Sequence, residues 1–186
     1  MLLELFTILE TNGLFPNLET YQIFAESVGE TTKHKYKCLY YWREFSVPYP
    51  EFKCIRWEKN NKCHHEDGPA VVYITGDIFW YKYDELHRIN GPAIEYSNGK
   101  KEWYQNDVLH RTDGPAIEWD DGTVNWYQNG KLHRIDGPAI EYNNGSKLWC
   151  QNGKCHRIDG PAVENANGIK YWFQNDILHR IDGANL

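Results

Sequence analysis

Six histidines, His64, His87, His110, His133, His156 and His179, stand 23 residues apart along a chain of 186 residues. Trp57, Trp80, Trp103, Trp126, Trp149 and Trp172 keep the same interval, and so do Pro69, Pro92, Pro115, Pro138 and Pro161. Three residue types sharing one period mark a tandem repeat. Each copy is then one supersecondary unit that buries its apolar side by stacking on its neighbours. The array covers residues 51–186, and residues 1–50 form a different region.

Two turn columns cut every repeat. One holds Thr75-Gly76, Asn98-Gly99, Asp121-Gly122, Asn144-Gly145 and Asn167-Gly168. The other holds Asn60-Asn61, Tyr83-Asp84, Asn106-Asp107, Asn129-Gly130, Asn152-Gly153 and Asn175-Asp176. Asn-Gly and Asp-Gly favour two-residue type I′ hairpin turns, because both central residues need positive φ. Tyr83 is the poor member, since a bulky residue is strained there. The segments between turns, such as AIEY and KEWYQ, suit strands. Aromatics point the same way, with 8 Trp and 13 Tyr against a single Met.

Two-residue turns would fix the register. Around Asn98-Gly99, Ile94 should face Trp103, Glu95 should face Glu102 and Tyr96 should face Lys101. Around Asn106-Asp107, Trp103 should face His110, Tyr104 should face Leu109 and Glu102 should face Arg111. Side-chain alternation then puts Ile, Trp and His on one side, and Ala, Tyr and Leu on the other with a Glu and Arg row. The proline of each G-P-A cannot donate a ladder hydrogen bond, which predicts a bend or crossover there. Each copy should advance ~10 Å along the sheet, so six copies span roughly 55 Å.

The run WYQNGKLHRIDGPAIEY at Trp126–Tyr142 resembles a MORN repeat, which is also a 23-residue β-hairpin unit with an aromatic, Asn-Gly, a basic residue and His. It departs from the usual pattern in reading K-x-E-x-Y from Lys100 to Tyr104 and H-R-x-D after the turn. The H-R-x-D-G-P-A form is similar to repeats abundant in large DNA viruses of amoebae, which implies a viral source. The resemblance implies an all-β repeat array, an elongated single-layer antiparallel sheet of MORN-like hairpins. It implies a role in protein binding, dimerisation or cell organisation, and supplies no catalytic residue.

Residues 1–50 read as a small, partly helical N-terminal cap or a partner-binding segment. Leu2, Leu5, Phe6 and Leu9 recur at helical spacing, and a second helix fits Leu18 to Val28. KYKCLYYWREF fits helix or strand. LLELFTIL followed by CLYYWREF is distantly similar to an F-box, which gives an alternative function: an adaptor that recruits targets through the array. A cap over the first sheet edge is the simpler reading.

The formal net charge of −6, with 16 Lys and Arg against 20 Asp and Glu in the array, gives no footprint for nucleic acid or anionic lipid. No apolar run reaches membrane-spanning length, and MLLELFTILE lacks the basic start of a signal peptide. Five cysteines without zinc spacing suggest a reducing, intracellular setting, either host cytoplasm or virion. No cofactor is predicted. The histidines, ~10 Å apart from copy to copy, cannot share a metal whose ligands lie about 2 Å from it, so they should pack on tryptophan. The Arg column (Arg88, Arg111, Arg134, Arg157, Arg180) should pair locally, with the Asp two residues on or across the strands as in Glu102–Arg111.

A single layer cannot bury both faces. Trp80, Trp103, Trp126, Trp149, Trp172, Tyr104 and Tyr127 are therefore the predicted interaction surface, for a protein partner or a second copy. Cys150 and Cys155 flank one turn and face each other as a non-hydrogen-bonded pair, close enough for a disulfide or for two packed thiols. Nothing resembles a catalytic constellation, so the expected function is a non-catalytic interaction or structural scaffold.

Overall fold

A computed structural model describes residues 37–40, 54–73 and 75–183. These residues are all-β and contain no helix. The helices expected near the start of the chain lie outside the described residues. The chain divides into two compact units, Met1–His87 and Arg88–Leu186.

In the first unit, Lys37–Tyr40, Cys54–Lys59, Val71–Tyr73 and Ile78–Phe79 pair antiparallel in that order. The segment around Cys38, which fits helix or strand by sequence, is thus a strand paired with Cys54–Lys59. Lys62–Cys63 folds back on Cys54–Lys59, and Tyr81–Lys82 pairs with Glu85–Leu86 in a separate hairpin.

The second unit shows how the repeat works. Ile94–Glu95, Lys101–Glu102, Ile117–Glu118, Val124–Asn125, Ile140–Glu141, Lys147–Leu148, Val163–Glu164, Lys170–Gln174 and Ile177–Asp182 follow one another in the sheet in sequence order. Every contact is therefore with the same repeat or the next, which is the topology of a stacked array. In three repeats the second turn carries its own two-stranded ladder outside that sheet: Tyr104–Gln105 with Val108–Leu109, Tyr127–Gln128 with Lys131–Leu132, and Cys150–Gln151 with Lys154–Cys155. The chain leaves the sheet at the tryptophan. Trp126 N–H donates to the Ala139 carbonyl of the next repeat at 2.7 Å, while its own carbonyl accepts His133 N–H at 3.0 Å.

The second turn column has the expected geometry. Asn106 and Asp107 have φ of 51° and 61°, Asn129 and Gly130 50° and 73°, Asn152 and Gly153 53° and 82°. The resulting register pairs Tyr104 with Leu109 and Tyr127 with Leu132, as the turn demands.

The first turn column differs from expectation by one residue. Ile94 pairs with Glu102 and Glu95 with Lys101, not with Trp103 and Glu102. Only the glycine of each pair has positive φ, 98° at Gly99 and 89° at Gly122. Gly122 N–H donates to the Trp119 carbonyl at 3.1 Å and Trp119 N–H to the Thr123 carbonyl at 2.9 Å. This is a three-residue loop, a turn followed by a left-handed glycine. The side chain before the glycine explains the choice: Asp121 Oδ1 accepts Thr123 N–H at 2.8 Å, and Asn98 Oδ1 accepts Lys100 N–H at 3.0 Å. An Asx side chain bonded two residues on holds its own backbone out of the left-handed region.

The core follows the alanine of G-P-A. Ala93, Ala116, Ala139 and Ala162 are fully buried, and Ile94, Ile117 and Ile140 beside them are buried. Ala139 is held on both sides: its N–H donates to the Leu148 carbonyl and its carbonyl accepts from Trp126, each at 2.7 Å. With a strand packed on either flank, a larger side chain would meet neighbours in a close-packed interior.

The last described repeat closes differently. Elsewhere the strand after the first turn pairs forward with the next repeat, as Leu148 does with Val163. Here Tyr171 pairs with Ile181 and Lys170 with Asp182 of the same repeat, with a bulge between Trp172 and Phe173. Ile177–Asp182 thus fills the slot that a following repeat occupies elsewhere.

Candidate interaction surface

The arginine of H-R-x-D is the hub of the repeats at Arg111, Arg134 and Arg157. The Arg134 guanidinium lies over the Trp126 ring, 4.0 Å from its centre. Its Nη1 donates to the Pro138 carbonyl at 3.2 Å and to Glu141 Oε1 at 2.8 Å, and its Nε to Asp136 Oδ1 at 3.1 Å. Arg111 repeats the set with Trp103, Pro115, Glu118 and Asp113. Arg157 repeats its main parts with Trp149, Pro161 and Glu164. The pairing with Asp two residues on is as expected. The Glu102–Arg111 pair is not formed: Glu102 is bound by Lys100 at 2.7 Å, and Arg111 reaches Glu118 instead. The chain leaves the second hairpin at Trp103, so Glu102 lies in the main sheet paired with Ile94 and Ile117 and away from Arg111.

This hub explains why Arg and not Lys serves. Only a planar fork can stack on an indole while donating to a carbonyl and a carboxylate in its plane. The bend at G-P-A brings the proline carbonyl into reach, and the carbonyl, left without a ladder partner, is satisfied by the guanidinium. Gly137 leaves room for it, because a Cβ there would come within 2.7 Å of the Arg134 guanidinium carbon.

The histidines do not pack face to face on tryptophan in the second unit. They stitch repeats together. His110 Nδ1 accepts the Asn129 N–H at 3.2 Å, and His133 Nδ1 accepts the Asn152 N–H at 3.1 Å. In the first unit His64 stacks instead on Tyr83, with ring centres 4.1 Å apart and planes 4° from parallel. Tyr83 pays for its φ of 53° with that stack. Trp57 meets His65 edge-on at 5.4 Å.

The predicted surface residues sit as follows. Trp103 is buried, while Trp80, Trp126, Trp149, Trp172, Tyr104 and Tyr127 are half-buried. Four of the indoles, Trp103, Trp126, Trp149 and Trp172, carry a guanidinium on one face. Burial, and the Glu102 carboxylate beside it, push the Tyr104 hydroxyl up to about 12. Cys150 and Cys155 are brought together, register partners with Sγ atoms 4.0 Å apart.

One column escaped the sequence reading. The residue after the Arg in each copy is Ile89, Thr112, Ile135, Ile158 or Ile181, followed by Asp except at Ile89, where Asn90 stands. Ile89, Ile135 and Ile158 are 72%, 79% and 74% exposed, the most exposed large apolar residues described. Their signal was available: a β-branched apolar residue between an arginine and an Asp or Asn, in a segment with no strand partner.

The first unit contains a cavity of about 380 Å³ lined by Cys54, Arg56, Cys63, Tyr73, Phe79 and Asp84, among others. Arg56 is met there by Glu58 at 3.0 Å and Asp84 at 3.7 Å. Burial pushes the Cys63 thiol up to about 11 and raises Cys54 as well, so neither is a thiolate near neutral pH.

No helix among the described residues is long and apolar enough to cross a membrane. No protein-family model matches the sequence, and no curated protein matches it.

Proposed function

We propose that the chain is a non-catalytic protein-interaction scaffold of MORN-like repeats, of viral source, that docks a protein partner along the isoleucine row. The observation that carries this reading is the exposure of Ile89, Ile135 and Ile158 at one equivalent place of the repeat, with Thr112 in the copy between the first two. A stacked array sets such residues ~10 Å apart per repeat. Isolated exposed isoleucines are ordinary, but a row in fixed register offers a partner several anchors at once. Asp136 and Asp159 stand beside Ile135 and Ile158 and give the row an acidic border. The arginine that stacks on Trp126 immediately precedes Ile135, which ties the backbone carrying the row to the tryptophan.

The test is affinity capture from the native cell or virion with the wild-type chain and with an Ile135→Ser, Ile158→Ser variant. Both substitutions are on exposed side chains, where little packing is lost. The reading expects one partner, or a second copy by mass measurement, retained by wild type and lost by the variant. Equal capture by both proteins overturns it.

A further inference from the structure

Cys150 and Cys155 face each other across Asn152-Gly153, where four other second-turn hairpins pair an aromatic with leucine (Tyr81 with Leu86, Tyr104 with Leu109, Tyr127 with Leu132, Phe173 with Leu178) and the Asn60-Asn61 hairpin pairs Glu58 with Cys63. Their Sγ atoms are 4.0 Å apart. We propose that Cys150 and Cys155 form a reversible oxidation site that closes to a cross-strand disulfide by exchange with a low-molecular-weight disulfide.

The geometry is set by the backbone and not by the sulfurs. Residues next to the closing pair of a two-residue turn form a non-hydrogen-bonded pair, with Cα atoms roughly 4.5 Å apart. That falls inside the range a disulfide spans, roughly 4.4–6.8 Å. Both strands are also pinned from outside the hairpin. Asn152 N–H donates to His133 Nδ1 at 3.1 Å and Gly153 N–H to the Leu132 carbonyl at 2.8 Å. Cys155 N–H donates to Asp176 Oδ1 at 2.8 Å. The thiols therefore stay opposed in the reduced protein, and closure needs side-chain rotation and a modest approach of the strands.

The order of events follows from exposure. Cys155 is partly exposed and Cys150 is buried. The Cys155 thiolate attacks the external disulfide, forming a mixed disulfide at its Sγ and expelling one thiolate, which takes up a proton. Cys150 then gives its proton to solvent and attacks the Cys155 sulfur. The mixed disulfide breaks and a second thiolate leaves. Two protein thiols and one external disulfide become one protein disulfide and two small thiols. Burial first, then the neighbouring Cys155, pushes the Cys150 thiol up to about 12. The second step is accordingly the slower one and depends on proximity.

The experiment uses the full chain in buffers of oxidised and reduced glutathione, followed by peptide mapping. The expected product is the Cys150–Cys155 linkage, exceeding any pairing with Cys38, Cys54 or Cys63 by roughly tenfold or more, and disappearing in reduced glutathione. Cys150→Ser should trap glutathione on Cys155, whereas Cys155→Ser should leave Cys150 unmodified. A mixed disulfide that persists at Cys155 in the wild-type chain overturns the proposal. So does a dominant linkage to another cysteine, or absence of any linkage. Should either variant fail to fold, the wild-type map alone decides.

Discussion

Removing the Arg134 side chain tests the hub directly. Its stack on Trp126 at 4.0 Å is worth about 1 kcal/mol for a partly exposed pair. The hydrogen bond from its charged Nη1 to the Pro138 carbonyl contributes about 1.5 kcal/mol. The ion pairs to Glu141 and Asp136 are partly exposed and together contribute under about 1 kcal/mol. Releasing the ordered side chain returns roughly 1.5 kcal/mol of entropy. Arg134→Ala should therefore cost about 2 kcal/mol, and Arg134→Lys about 1 kcal/mol, since Lys keeps the charge and loses the fork. Repeat arrays need not unfold in one step, so the fitting assay is amide hydrogen exchange and not a single melting curve. The Trp126 amide, which donates to Ala139 across the repeat boundary, should exchange about 30-fold faster in Arg134→Ala. Unchanged protection there would mean that the guanidinium decorates the surface and does not hold the bend.

Trp126→Ala should cost more than Arg134→Ala, a few kcal/mol, because it removes the stack and opens a void under it. Paired unfolding titrations would rank the two. Asn129→Ala should cost about 1–2 kcal/mol, because it puts a Cβ with no local hydrogen bond at a φ of 50°; thermal melting reads this, with Asn129→Gly recovering most of it. Burial lowers both His64 and His65 below the usual 6.5. The unfolded chain then protonates first, so stability of the first unit is full above about pH 6.5 and falls as the pH drops through that value. Thermal midpoints across that window should slope downward, and His64→Gln with His65→Gln should flatten the slope.

The sequence exposed whatever depended on a single short-range rule. Positive φ at both residues of Asn129-Gly130 follows from the dipeptide, and so does the opposition of Cys150 and Cys155. The other turn column contains the same Asn-Gly pair, yet Asn98 bonds the amide of Lys100 and lengthens the loop by one residue. The dipeptide alone does not distinguish these outcomes. A preceding Ser97 or Asp120, suited to the first central position of an ordinary turn, was the available clue. The arginine hub was out of reach for a different reason. Arg134 meets Glu141, seven residues on, only because the G-P-A bend folds the chain back over it. Alternation along a straight strand could not place that contact. The isoleucine row was not legible from residue type, because exposure is decided by which residues lack a strand partner.

The stitches between copies carry a consequence for how such a chain changes over generations. His110 reaches Asn129 and His133 reaches Asn152 across the same separation of 19 residues. Thr123 likewise accepts the Asn143 amide, and Ser146 the Ala166 amide, 20 residues on. An in-frame duplication or excision of one whole period among the copies that carry these residues leaves each donor facing an equivalent acceptor. Recombination within such a gene can lengthen or shorten the protein without any second substitution to repair the join, whereas a deletion of any other length severs every link that spans it.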